Sequence, residues 1–534
     1  MDYTTLENPR KINLTAPISK LPSELLSSIF LLLDFGSPDY GRRTRYISPA
    51  REMLAVTQIC HYWREVALEC HSLWSRALYL AFPNNWFREL LRRSGTSPID
   101  AFGPIQELQG YSENLSTVLN HVARLRTLRV NASSQSWSLL TNRLQERSAP
   151  LLEYLHLERD NNIRISPRFS ASIFKGHSPR LRKLELHGCV IDIKSPVFRN
   201  LTMLKIFDVH AVLPFSVQEW LDLFERMPSL KELSLHDRSP RKRSLVISSP
   251  SGLENAVTLP NLSALTIGSL LEPCSALLYH MITPSLAFFN VSCVATYPGI
   301  GFERLRASLA SKFVDVQQPT EDRSYNLILG KSRFCFFTSE EPGYRISSGS
   351  AFNISVYWEI IVNGFTALVP HIMSILEPFI SQVTSLRLDF DMYLPPHLST
   401  TQSRAVFLEL LYPFKKLRKL HLLRGEVDIL PYLQPLLHDH ARSSRSPNDE
   451  NHLLLPSLRT LSLNARGFGM VNPAEPDMLS AFVRARSQMQ SPLEIVEFHG
   501  DAELSDVKKN LEELGVVVYL KEQDVDLQWS ADGW

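Results

Sequence analysis

From about residue 125 onward one spacing of apolar and polar positions keeps returning, in the form leucine-x-x-leucine-x-leucine. It occupies 125–130, 152–157, 181–186, 201–206, 230–235, 262–267 and 286–291, and again 383–388, 417–422, 458–463 and 493–498. Pro150, Pro179, Pro228, Pro260, Pro284 and Pro456 stand just ahead of six of these phrases. The alternation over the last three residues is that of a half-buried strand, and a proline at the same place each time would spoil a helix. The first seven phrases begin roughly 20 to 32 residues apart, the spacing of leucine-rich repeats and somewhat beyond. Each phrase predicts a short strand that turns its leucines inward and exposes the residues between them, with a helix behind. One such repeat cannot bury its own apolar face, so the repeats should stack. Between 291 and 383 the period is lost. There 325–329, 333–338 and 353–361 read as strands around a turn at Gly330-Lys331, a hairpin or enlarged repeats set into the array. A helix over 505–514 stopped by Gly515, and a strand over 516–520, close it.

The N-terminal pattern has a different period. In residues 17–33, Leu25, Ile29 and Leu32 form one helical stripe and Leu26, Phe30 and Leu33 a second beside it, a wider apolar arc than a surface helix needs. Pro22 suits the first helical position and Glu24 the first turn. One stripe can pack within the chain, and the other asks for a partner. A second helical period covers 53–67, with Leu54, Ile59, Trp63, Val66 and Ala67 inward, and Ser72-Leu73-Trp74 ends the segment. A strand over 77–80, a helix over 86–93 and a strand over 99–102 follow, with no Gly/Ser-rich spacer, which predicts a stiff joint.

Three separated pieces of this segment, Leu21-Pro22-x-Glu24-Leu25-Leu26-x-x-Ile29-Phe30, Cys60-x-x-Trp63-Arg64 and Leu73-Trp74, resemble the F-box. Residues 36–46, with Arg42, Arg43 and Arg45, make a longer and more basic connection than the compact family version. The resemblance implies that Leu21, Pro22, Leu25 and Ile29 face a Skp-type adaptor, with Trp63 behind them tying the helices together. An F-box followed by irregular leucine-rich repeats also resembles the large fungal F-box families. That resemblance implies a substrate-recognition subunit of a cullin–RING ubiquitin ligase, itself non-catalytic. The first rival is an F-box scaffold acting with the adaptor outside any ligase, and the second is an enzyme with a site within 292–382.

Charge is balanced at net +1 over 534 residues, which argues against a general nucleic-acid or membrane-surface binder. Six scattered cysteines make no disulfide framework, no run of about 18 apolar residues occurs, and the first residues do not resemble a signal peptide, so an intracellular protein without a membrane span is expected, cytoplasmic or nuclear. Gly330-Lys331-Ser332 lacks the earlier glycine of a phosphate loop, with Tyr325 in its place, and Gly299-Ile300-Gly301 has Arg304 where a third glycine belongs, so both read as turns or loops. Cys60, His61, Cys70 and His71 invite a zinc reading, but on a continuous helix the two cysteines diverge by about 80°. His187 and His236 share a slot in two repeats, yet two rungs separate them by roughly 10 Å. No catalytic, cofactor or metal site is expected. Arg238 to Arg243 reads as a solvated basic loop, and 438–452 as a disordered one. On the strand face, Arg129, Lys183, Lys205, Arg387 and Lys419 offset Glu158, Glu185, Glu232, Asp389 and Glu497, which favours a protein target over nucleic acid. Tyr154, Phe207 and Phe288 are the expected target anchors.

The fold expected is therefore α/β: a tail over 1–16, a helical F-box over 17–76, and over 77–534 a leucine-rich-repeat solenoid, a curved parallel sheet with helices outside and an irregular insertion around 292–382.

Overall fold

The computed structural model describes residues 16–32, 49–76, 78–103, 111–159, 167–207, 215–236, 256–295, 301–312, 324–330, 333–339, 352–358, 364–380, 383–389, 411–422, 455–464, 475–500 and 504–521. The fold is mixed α/β, with N-terminal helices and a large, mostly parallel β-structure that closes into no barrel among the described residues. The chain divides into two compact units, one of Met1–Leu213 with Asp222–Ser234, the other of Pro214–Leu221 with Leu235–Trp534.

The first unit begins with helices Ser23–Leu32, Pro49–Val56, His61–Glu69 and His71–Ser75. Pro22 lies one residue ahead of the first helix, where its carbonyl accepts from the Leu25 and Leu26 N–H groups. The helix expected over 53–67 is two helices. The chain leaves helical geometry after Val56, and Cys60, extended at φ −156°, starts the next helix with its Sγ facing the Trp63 N–H at 3.5 Å. The break turns Ile59 outward, where it is exposed and not inward as its period suggested. It also removes the continuous helix on which the divergence of Cys60 and Cys70 rested: Cys60 opens one helix and Cys70 sits between that helix and the next, and among the described residues these cysteines and histidines do not form a cluster of ligand atoms.

Beyond these helices, strands Leu78–Tyr79, Ile99–Phe102, Leu125–Ala132, Tyr154–Arg159, Lys183–His187 and Met203–Phe207 pair in parallel, each with the next. The register aligns the recurring phrase with itself: Leu128, Leu155, Leu184 and Leu204 form one row, and Val130, Leu157, Leu186 and Ile206 the row two residues on. All eight are buried. At about 1.5–3 kcal/mol for each fully buried aliphatic side chain, these rows are a principal cohesive element of the unit. The residue after the first leucine of each phrase adds a backbone rung, with Glu153 N–H donating to Arg126 O, Arg182 to Glu153, Thr202 to Arg182 and Lys231 to Thr202, all at 2.8–2.9 Å. Helices Asn84–Arg93, Tyr111–Leu119 and Ser134–Glu146 bury Phe87, Leu90, Leu115, Val118, Trp137 and Leu140.

In the second unit Ala264–Leu270 pairs in parallel with Phe288–Ala295, and that strand with Phe352–Trp358. Ser324–Gly330 and Arg333–Ser339 pair with each other antiparallel, and the hairpin sits inside the sheet. Its second strand runs antiparallel to Phe352–Trp358, and its first runs parallel to Val383–Asp389. Parallel pairing then resumes through Lys419–Leu422, Thr460–Asn464, Ile495–His499 and Val517–Lys521. Inside the stretch where the period is lost, Phe336, Phe352 and Phe379 pack ring against ring at 5.4–5.7 Å as an aromatic core. Gly515, at φ +83°, ends helix Ser505–Glu513 by letting the Val516 N–H return to Leu511 O, a turn that a Cβ would strain. Residues 237–243, 331–332, 438–452 and the tail 1–15, on which several expectations fell, lie outside the described residues.

Candidate functional site

The two stripes of helix Ser23–Leu32 part company. Leu26 and Phe30 are fully buried, whereas Leu25, Ile29 and Leu32 are 53 %, 38 % and 82 % exposed. What holds the helix is on its buried side. The Phe30 ring lies against Trp63 at 5.3 Å, the Tyr62 hydroxyl donates to Leu21 O at 2.7 Å, and the Arg76 guanidinium donates to Leu31 O at 2.7 Å. Behind these, buried Trp74 donates its indole N–H to Ala67 O at 2.7 Å and carries the Arg93 guanidinium 4.7 Å above its ring. Of the residues expected on this surface, Pro22, Leu25 and Ile29 are exposed, Leu21 is half-buried, and Trp63 is half-buried behind them. The result, among the described residues, is an exposed apolar stripe on a helix braced from its other side.

The second cluster lies on the strands of the first unit. Residues between the inward leucines were expected to face solvent. Yet His156 is only 3 % exposed, and in the second unit Arg387, His421 and Glu497 are 7 %, 4 % and 7 % exposed. Each of these polar groups stands in a row of like slots: Arg129, His156, Glu185 and Lys205 are register partners, as are Arg387, His421, Ser462 and Glu497. Stacked this closely they screen one another from water.

In the first row Glu185 is the hub. Its Oε2 accepts the Tyr154 hydroxyl at 2.6 Å and lies 3.3 Å from His156 Nδ1, while Oε1 lies 3.1 Å from His187 Nε2. On the far side of the His156 ring, Nε2 is 3.7 Å from Glu158. Burial alone would raise the Glu185 carboxyl, but the His156 and His187 rings and the Tyr154 hydroxyl override it and hold the group well below the usual carboxylate range. Burial pushes the His156 imidazole down, and the two carboxylates outweigh it and keep it above its ordinary value. The ligand-type atoms of His156, Glu185 and His187 all lie within 4.8 Å of one another. Gly188 follows at φ +67° with the Arg159 side chain so close that a Cβ would meet its Nε at 2.5 Å, so the chain can turn sharply after His187.

In the second row Glu497 accepts Lys419 at 2.9 Å and Lys521 at 2.8 Å, with His499 at 3.6 Å. Burial would raise this carboxyl too, and those three partners hold it well below the usual range. Burial, Lys419 and Arg387 press the His421 imidazole well below its ordinary value.

The expected anchors have been placed by these contacts. Tyr154 is tied to Glu185, Phe207 lies tilted against the His187 ring with centroids 4.6 Å apart, and Phe288 belongs to the other unit; all three are half-buried. His187 and His236 are not brought together as a pair, and the partner of His187 is His156, at a ring separation of 5.0 Å. That pairing was missed because it joins different slots of adjacent repeats. The available signal was a histidine between the last two leucines of 152–157, beside a Glu-x-His at 185–187. The buried Cys189 thiol is pushed far up by burial and is no nucleophile.

Compared with known protein families, residues 18–79 match the F-box-like family model. No curated protein matches the chain. Among the described residues no helix is long and apolar enough to cross a membrane.

Proposed function

We propose that this chain is the substrate-recognition subunit of an SCF-type (Skp–cullin–F-box) ubiquitin ligase. The F-box-like segment docks on a Skp-type adaptor and through it on a cullin, and leucine-rich repeats hold a protein target. The observation that carries the reading is the exposure of Leu25 and Ile29, within an F-box-like match, on a helix whose opposite stripe is already buried. An apolar stripe that the chain leaves uncovered is a docking surface in want of a partner. On this reading the protein makes no bonds. It raises the local concentration of a target lysine beside a ubiquitin-charged enzyme, a proximity effect.

Co-expression with a Skp-type adaptor is the test. The chain should gain solubility with the adaptor, and Leu21→Ala with Pro22→Ala should weaken capture roughly 1000-fold, two anchors at about 2 kcal/mol each. A double variant that binds as tightly as wild type overturns the reading. Capture of adaptor without cullin, and a target whose half-life does not change on depletion of the chain, would instead make it a scaffold. Target contact is assigned to the half-exposed rings of Tyr154, Phe207 and Phe288. Their joint replacement by alanine should weaken target capture and spare adaptor binding.

A further inference from the structure

We propose that His156, Glu185 and His187 form a binding site for a borderline divalent transition metal of the Zn²⁺ or Co²⁺ kind. Two imidazoles and one carboxylate are the donor set such ions take, whereas Ca²⁺ and Mg²⁺ call for oxygen ligands throughout. The separations are of the right order. Two ligands each about 2.0–2.1 Å from a common tetrahedral ion stand roughly 3.4 Å apart; Glu185 Oε2 lies 3.3 Å from His156 Nδ1 and its Oε1 3.1 Å from His187 Nε2, and one ligand atom from each of the three residues falls within 4.8 Å of the others. Adjacent strands supply the frame. His156 and Glu185 are register partners, as are Glu158 and His187, so the three donors are held by sheet geometry rather than by a loop.

Outer contacts of the right kind are present. The Tyr154 hydroxyl donates to Glu185 Oε2 at 2.6 Å, and Glu158 stands 3.7 Å behind His156 on the nitrogen that would not ligate. A carboxylate behind a ligating imidazole fixes its tautomer and orientation and strengthens it as a ligand. The charges nearby also allow a cation. Glu158 and Glu185 contribute two negative charges, and Lys205, which is the register partner of Glu185, has its ammonium 2.6 Å from Glu232. Arg129 stands over the Tyr154 ring, 5.7 Å from its centre. Three protein ligands leave a fourth position for water. An ion there would clamp the strands Tyr154–Arg159 and Lys183–His187 together beside the rings of Tyr154 and Phe207.

The test uses the untagged full chain, stripped with a chelator and, where solubility requires, held with the adaptor. Zn²⁺ alone is titrated calorimetrically, and Co²⁺ alone is followed by its visible d–d band, which reports tetrahedral nitrogen and oxygen ligation. Wild type should take up one ion per chain at this site. Glu185→Gln and His187→Ala should each lose more than about 100-fold in affinity, and Tyr154→Phe, which keeps all three ligands, about 10-fold. His236→Ala should bind as wild type does, and adaptor capture should be unchanged throughout, which separates this site from the docking reading. If the ligand variants fail to fold, Tyr154→Phe and wild type decide. A folded wild type with no Co²⁺ band and no Zn²⁺ heat, or binding that none of these substitutions changes, overturns the site.

Discussion

The apolar stripe of helix Ser23–Leu32 and the polar rows on the strand faces depart from the ordinary burial rule in opposite directions. On the helix, Leu25, Ile29 and Leu32 stand in solvent, and on the strands His156, Arg387, His421 and Glu497 are shut away from it. The helix has more apolar surface than one packing face can cover. Once Leu26 and Phe30 are buried against Trp63 and its neighbours, Leu25, Ile29 and Leu32 are left exposed among the described residues. The strand rows draw their partners from within the chain, since Glu185 and Glu497 each gather several donors. An exposed apolar stripe is therefore evidence of an interface, while a row of charged residues between leucines is weak evidence of one. A recognition face on the strands has to be sought in half-exposed rings beside the rows.

The largest effect expected is on binding. Replacing Leu25 and Ile29 together with aspartate puts two charges into the docking stripe and should lower adaptor capture by at least about 1000-fold, read by co-purification or calorimetry. Because both side chains are exposed, the thermal midpoint of the chain should stay within a few degrees of wild type. A large fall in that midpoint would show the stripe to be structural.

Phe30→Ala reverses this pattern. The ring is fully buried against Trp63, so its loss should cost about 3–5 kcal/mol of local stability and weaken capture only by loosening the helix that presents Leu25. Limited proteolysis within the N-terminal helices would read the first effect. If cleavage there is no faster than in wild type, the division into a buried and a docking stripe is wrong.

A third test addresses the internal partners of the strand rows. Glu497→Ala leaves the Lys419 and Lys521 ammonium groups and the His499 ring around a vacated site and should destabilise the second unit by about 2–3 kcal/mol, seen in denaturant midpoints. Adaptor capture should not change. No loss of stability would mean that the row is in contact with water and free to bind.

Much of this arrangement was legible in the residues. The leucine phrase gives the strand register because a slip of one residue would turn both leucines to the other face, and Leu128, Leu155, Leu184 and Leu204 do fall in one row. The division of the first helix into two stripes follows from its period alone. The phrase does not reveal how closely successive strands stack, and that closeness buries the middle residue at His156, Ser234, Arg387, His421, Ser462 and Glu497. Ile59 misled because the helix break beside it is made by a capping cysteine, with no proline or glycine to announce it. The His156–Glu185–His187 cluster was hidden because its members come from different slots of neighbouring repeats, and a search for like residues in like slots finds His236 instead.

The smallest effect separates the two rows from each other. Each has a histidine at its middle slot, but His156 faces Glu158 and Glu185, whereas His421 is pressed by burial, Lys419, Arg387 and His499, with only Glu497 opposing them. A folded-state value below that of the unfolded chain means that the folded form of His421 resists the proton. Its contribution to stability is intact above about pH 6.5, where the unfolded imidazole is also neutral, and it is lost as pH falls because only the unfolded chain takes up the proton. Between pH 6.5 and 5.5 that linkage amounts to about 1 kcal/mol. His421→Asn cannot titrate, so the fall in unfolding free energy from denaturant titrations over this interval should be smaller by that amount than in wild type. The difference between the two proteins cancels the other histidines they share. An equal fall in both would show that His421 accepts its proton in the folded state, and that the cations around it do not set its charge.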